Sequence, residues 1–199
     1  MQETKIKTLA LAAALAVSTA FAAQAADRYT LDSSHSQIVF SYNHLAYSTT
    51  YGMFSGFEGE ILFDQDNPAA SSVEVSMPAS SMFTGWEARD AHFTSADFLN
   101  VAEHDVISFV STGIEVTGDD TALITGDLTM NGTTKPIVLD AKLNQFSEHP
   151  VENVRWAGFD ATTTLLRSDF GMGAFAPFVS DEVEVMISIE AQIADSQEG

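Results

Sequence analysis

From Glu182 to Gln192 the side chains alternate in character. Val183, Val185, Ile187, Ile189 and Ala191 stand against Glu182, Glu184, Met186, Ser188 and Glu190, and Ile193 extends the apolar series. Successive residues of a strand point to opposite faces, so this pattern specifies a strand with one dry and one wet side. Shorter runs of the same kind recur along the chain. Ile38, Phe40, Tyr42 and His44 share a face, as do Val73, Val75 and Met77, then Ile107 and Phe109. Further on come Ile137, Leu139, Ala141 and Leu143, then Ala157, Phe159, Ala161, Thr163 and Leu165. No long segment carries the spacing of an amphipathic helix. Many half-dry strands separated by turn residues specify an all-β sandwich or barrel, and a closed antiparallel barrel suits one buried face on nearly every strand.

Local signals place the strands. A short opening strand covers 28–31 and a second covers 38–45. A third is expected over 52–63, with Met53, Phe57, Ile61 and Phe63 on one face and Gly52, Gly56 and Gly59 marking bends. Asn131-Gly132 between alternating runs is the strongest hairpin signal, read here as a turn over 131–134. Gly118-Asp119-Asp120 is a second turn, and 147–153 a polar loop. Residues 78–103 break the alternation. One or two short helices are expected there, with Ser80 or Thr84 as a cap, Ser95 opening a second turn, and Trp86, Phe93, Phe98 and Leu99 packing over one end of the barrel. Residues 168–181, SDFGMGAFAPFVSD, form a Gly- and Phe-rich loop.

The chain ends bear on destination. Lys5 and Lys7, the apolar run 9–21 and Ala23-Gln24-Ala25 have the form of a secretory signal peptide, so residues 1–25 are expected to be removed. The mature barrel is expected over 26–193, with a disordered tail at 194–199 and a periplasmic destination. With no cysteine there is neither disulfide nor thiol chemistry. Setting aside Glu3, Lys5 and Lys7 from 28 acidic and 8 basic residues leaves 27 and 6, a formal charge of −21. That balance argues strongly against nucleic acid or an anionic membrane surface as a partner, since both need a basic patch. The six cations are Arg28, Arg89, Lys135, Lys142, Arg155 and Arg167.

An eight-stranded barrel can hold one small ligand. Small inward residues (Gly59, Ala141, Ala157, Ala161, Thr163) leave room, and the chain is rich in Phe. The five histidines show none of the close spacings of a metal site, and no metal is assigned. No nucleophile elbow or phosphate loop is present, and no catalytic residue is assigned. Arg89-Asp90 and Arg167-Ser168-Asp169 each set an Arg beside an Asp in a non-β excursion. Two readings stand: a bracket that pins the excursion, or a polar group at a pocket entrance.

Together, LDSSHSQIVFSYNH, GWEARDAHFTSADFLNV, SFVSTGIEV, GDLTMNGTTKPIVL and FDATTTLLRSDFGM with the closing VSDEVEVMISIEA resemble the YceI family of secreted bacterial proteins in order and spacing. The resemblance implies a lipocalin-like, eight-stranded antiparallel barrel around an apolar tunnel that holds a polyisoprenoid, isoprenoid quinone or similar long-chain amphiphile. It implies no catalytic activity and no cofactor beyond the bound lipid, and it leaves a homodimer open. Phe40, Tyr42, His44, Phe57, Phe93, Phe159 and Ile187 are the expected ligand contacts. His35, Ser36, Arg89, Asp90, Arg167 and Asp169 are the head-group candidates. The net charge favours a neutral head. A protective protein with an incidental cavity, or an enzyme acting on a lipid with His35 or His44 as base, are the alternatives.

Overall fold

The computed structural model describes residues 26–194. The expected signal segment lies outside them, as does the expected tail beyond Ala194. Ala194 itself is tied in, its N–H donating to the Arg28 carbonyl at 2.8 Å.

Ten strands follow one another: β1 (Asp27–Leu31), β2 (Gln37–His44), β3 (Ser48–Phe54), β4 (Glu58–Phe63), β5 (Ser72–Pro78), β6 (Val106–Val116), β7 (Thr121–Met130), β8 (Thr133–Glu148), β9 (Arg155–Leu166) and β10 (Glu182–Ile193). All pairings are antiparallel, in the order β1-β4-β5-β6-β7-β8-β9-β10-β2-β3, and a β1–β10 pairing closes the ring. The barrel has eight walls because two of them are interrupted strands. β10 pairs with β1 through Ile193↔Tyr29 to Ala191↔Leu31 and with β2 through Ser188↔Gln37 to Glu184↔Ser41. β1 and β2 are therefore two halves of one wall, and β4 and β3, which pair with them, are halves of the next.

The third strand expected over 52–63 is thus corrected. It breaks at Ser55-Gly56-Phe57, where Gly56 has φ +73°. The break shifts the alternation, so Phe54 rather than Met53 joins Phe57, Ile61 and Phe63 on the inner side. β4, after the break, pairs with β5, whereas β3, before it, does not. The β3 edge is held instead by the backbone pair Met53–Phe83, each N–H donating to the other's carbonyl at 2.9 Å. The pair covers the Met53 end of this edge, and β3 is otherwise a terminal strand of the sheet.

Glycine is required where strands pack tightest. Gly59 has φ +148°, and a Cβ there would lie 2.2 Å from the Glu74 carbonyl oxygen and 2.7 Å from the Val75 Cα. Both obstacles are backbone, so the β4–β5 pairing would have to open. Gly59→Ala should cost about 2–3 kcal/mol, read as a lower midpoint in chemical denaturation.

The Asn131-Gly132 hairpin is tighter than expected. Both residues have positive φ (48° and 68°), and Met130 already pairs with Thr133, so the loop has two residues. The excursion between β5 and β6 contains one α-helix, α1 (Glu87–Phe93), preceded by one 3-10 turn (Ala79–Ser81) and followed by turns without further helix. Its N-cap residue is Trp86, which supplies no side-chain cap. Neither Ser80 nor Thr84 caps it. Instead the Asp90 carboxylate reaches back to accept hydrogen bonds from the Thr84 N–H and hydroxyl. Phe98 and Leu99 are buried beneath it, whereas Trp86 is 63% exposed, contrary to the expectation that it packs inward.

Candidate functional site

Inside the barrel lies a cavity of about 840 Å³. This is the size of a small-molecule site and is lined overwhelmingly by apolar groups. Every strand except β1 lends at least two side chains, and β1 lends Leu31. The far end is closed by Tyr29, Phe63, Phe146 and Phe159, whose rings meet edge to face at 5.3–6.4 Å. At the other end Leu45, Phe175 and Phe178 line the cavity and are also 44%, 59% and 73% exposed, so the cavity opens between the β2–β3 hairpin tip and the loop before β10.

Phe40, Tyr42, His44, Phe57, Phe93, Phe159 and Ile187 all line this cavity, as do Ala141, Ala161 and Thr163. Leu143, Ala157 and Gly59 do not. The register of β8 against β9 shifts just after Leu143. Phe54, Met77, Phe109, Met130 and Val179 also line it. Phe54 was hidden by the strand break, and Val179 by a loop in which period-two reasoning has no purchase.

The head-group candidates separate into two sets. Arg89 and Arg167 line the cavity. His35, Ser36, Asp90 and Asp169 do not, and their residue neighbours explain why. Ser36 is buried in the break between β1 and β2. Its hydroxyl donates to the Asp32 carbonyl at 2.7 Å and accepts from the Glu190 N–H at 3.3 Å, bracing the interrupted wall. His35 is exposed on the outside, its Nδ1 2.5 Å from the Asp32 carboxylate. Asp90 serves Thr84, and Asp169 is exposed.

Asp32, His35 and Glu190 place three potential ligand atoms within 4.8 Å of one another. Sequence spacing could not reveal this cluster, because Glu190 arrives from the last strand. Asp32 is already engaged by His35 and by the Ser34 N–H and hydroxyl. Burial alone would raise the Asp32 pKa, but the hydrogen bonds from His35 and Ser34 outweigh it and hold the carboxyl below its ordinary range. The hydrogen bond to Asp32, then its charge, raises His35 above 6.5. Asp32 therefore favours the folded state above its ordinary pKa of 3.8, and loses that effect as pH falls through its lowered value. His35 favours it below 6.5 and loses that effect as pH rises through its raised value. The pair contributes fully between those two ordinary values. In an NMR titration the His35 midpoint should lie above 6.5 and return towards it in Asp32→Asn. An unchanged midpoint would contradict the pairing.

Arg167 belongs to a strap. Its guanidinium donates to four backbone carbonyls: Ser180 (2.9 Å), Met172 (2.6 Å), Ala174 (3.2 Å) and Val179 (3.1 Å). Burial lowers its pKa, while the charge of Asp181 opposes this. The carboxylate partner of this corner is Asp181, which accepts from the Ser168 N–H and hydroxyl. The bracket reading therefore fits Arg167, with Asp181 in the place expected for Asp169.

Arg89 differs. It is half-buried on the cavity-lining face of α1, and no side-chain hydrogen bond or ion pair engages it among the described residues. Arg28 and Arg155, by contrast, pair with Glu60 and Asp27. The cavity lining contains two arginines and, among the described residues, one acid, Asp160.

The family model for the YceI-like domain matches residues 29–191, nearly the whole described chain. The chain belongs to the YceI family. A relative from Ectopseudomonas mendocina (strain ymp), named a UPF0312 protein, is 45% identical over 170 residues, covering 84% of this chain and 88% of that one. The YceI protein of Campylobacter jejuni superposes with a TM-score of 0.69 at 26% identity, over 77% of this chain and 90% of its own. A polyisoprenoid binding domain from Saccharophagus degradans, implicated in plant cell wall breakdown, superposes with a TM-score of 0.67 at 14% identity, over 83% and 98%. This YceI barrel thus shares its closed eight-stranded antiparallel architecture with a domain described as binding polyisoprenoids.

Proposed function

We propose that this YceI protein is a binding and carrier protein, exported to the periplasm, that holds the tail of an isoprenoid or similar long-chain amphiphile in its barrel. The observation that carries the reading is the apolar cavity, closed by an aromatic plug at one end and open at the other. Burial of each CH₂ contributes about 0.8 kcal/mol before ordering costs, so two or three isoprene units supply most of a useful affinity. Family membership and the likeness to a polyisoprenoid binding domain support binding rather than turnover. Export rests on the leader-like composition of residues 1–25.

The head group sits at Arg89. Net charge favours a neutral head, but the acids of the chain are almost absent from the cavity lining, and Arg89 is a half-buried donor without a side-chain acceptor among the described residues. Phosphate or carbonyl oxygens suit it, and phosphate suits it better because both partners are charged. A polyprenyl phosphate should bind more tightly than its alcohol, and Arg89→Ala should remove about tenfold of that preference, read by competition binding. Equal affinities for phosphate and alcohol in the unaltered protein would overturn this assignment.

A further inference from the structure

Around the open end the surface is aromatic. Tyr47 at the hairpin tip is 89% exposed, Phe83 beside the β3 edge 58%, Trp86 at the start of α1 63%, and Phe175 and Phe178 in the strap 59% and 73%. These segments are joined. The Leu45 N–H donates to the Phe178 carbonyl at 3.0 Å, Met53 pairs with Phe83, and the Phe175 ring lies 6.1 Å from that of His92 on α1. They make one collar around the mouth.

The collar is also where the acids are missing. The chain is rich in Asp and Glu, yet residues 33–57, 75–86 and 170–180 contain none. These three tracts supply the hairpin, the approach to α1 and the strap. Of the bordering acids, Asp90 is turned to Thr84, Asp97 lies 3.2 Å from His92, Asp181 is engaged by Ser168, and Glu87 and Asp169 are exposed. Carboxylates are costly against lipid head groups and acyl chains, whereas Trp and Tyr favour the boundary between them. An aromatic ring poor in acids around the entrance of a cavity for lipid tails fits a bilayer.

We infer that the collar formed by the β2–β3 hairpin tip, the Phe83–Trp86 segment and the 170–180 strap docks the barrel, mouth down, on a zwitterionic bilayer, so that a lipid tail passes between membrane and cavity without crossing water. This rests on the carrier reading above. The contact is apolar rather than charge-driven. The acidic body behind the collar is repelled by anionic lipid, and salt screens that repulsion over about 8 Å at physiological ionic strength. Docking therefore weakens when anionic lipid is added and recovers with salt, the reverse of a basic-patch binder.

The test is flotation of the ligand-stripped protein with phosphatidylcholine vesicles, with and without phosphatidylglycerol. It is run alongside Trp86 emission in a Trp156→Phe background and uptake of a polyprenol delivered from cyclodextrin. The protein should float with phosphatidylcholine, float less with phosphatidylglycerol at low salt, and shift its emission to the blue. Tyr47→Glu with Phe83→Glu, at exposed positions outside the cavity lining, should reduce flotation at least tenfold and leave polyprenol uptake unchanged. Absence of flotation, flotation unaffected by the two substitutions, or a stable dimer in sedimentation that shields Trp86 from an aqueous quencher would overturn the inference, the last by assigning the collar to a second copy. Flotation without polyprenol uptake would uphold the docking face and remove the carrier reading instead.

Discussion

Replacing Ile187 with Glu will empty the barrel without unfolding it. Ile187 lies midway along β10, opposite Ala161 on β9 and Ile38 on β2, and all three line the cavity. A carboxylate there stays hydrated while the cavity holds water. It would have to be stripped of that water, or protonated, before an isoprenoid tail could pass it, and stripping a charge in an apolar site costs several kcal/mol. We expect affinity for a polyprenyl ligand to fall at least ~100-fold, about 2.7 kcal/mol, with circular dichroism unchanged. Ser188→Glu adds the same charge one residue along, on the solvent face, and should leave binding intact. Full affinity in folded Ile187→Glu, or an equal loss in Ser188→Glu, would mean that the ligand does not occupy the barrel.

The second large effect is on stability. Arg167→Ala leaves four carbonyls of the 172–180 strap without their shared donor and opens the space under Phe98, whose ring lies 5.9 Å from the guanidinium carbon. Hydrogen bonds to a charged donor contribute about 1.5–3 kcal/mol each when buried. Arg167 is only partly buried and its bonds share one group, so about 3–4 kcal/mol in total is expected. In a domain of this size that lowers Tm by roughly 10 °C. Arg167→Lys should recover little, because a point-like ammonium cannot reproduce the planar fork that reaches carbonyls on several sides. Limited proteolysis should then cut within 171–180. A loss below ~1 kcal/mol, or full rescue by Lys, would contradict the strap.

Most of the barrel was legible because period-two alternation is a direct record of which side chains face a common interior. β10 and β9 could be placed almost to the residue, whereas β8 runs on to Glu148, into the loop expected over 147–153. The seven expected cavity contacts all line the cavity, Phe57 from the break between β3 and β4 and Phe93 from α1. The failures share a cause. At Gly56 the chain turns through a positive φ and the alternation restarts out of phase, which misplaced Met53 and concealed Phe54. Trp86 looked like core by its size, but its neighbours in space are set by the Met53–Phe83 pairing, a contact between residues thirty positions apart. The polar candidates suffered most. His35-Ser36 adjoins the alternating run of β2 in sequence, yet the break between β1 and β2 exposes His35 beside the Asp32 carboxylate and buries Ser36 against the Asp32 and Glu190 backbone. Arg167 sits two residues from Asp169 but is satisfied by carbonyls of its own loop. Adjacency in sequence carries little information about pairing where the chain is neither strand nor helix.

The central claim is that the barrel carries a long-chain amphiphile. The most direct test is native mass spectrometry of the protein purified from its own host without detergent, followed by organic extraction. A stoichiometric adduct with an isoprenoid or comparable long-chain tail is predicted, lost in Ile187→Glu and retained in Ser188→Glu. A barrel that arrives empty, and that also fails to take up added polyprenyl phosphates, polyprenols and isoprenoid quinones, would contradict the account.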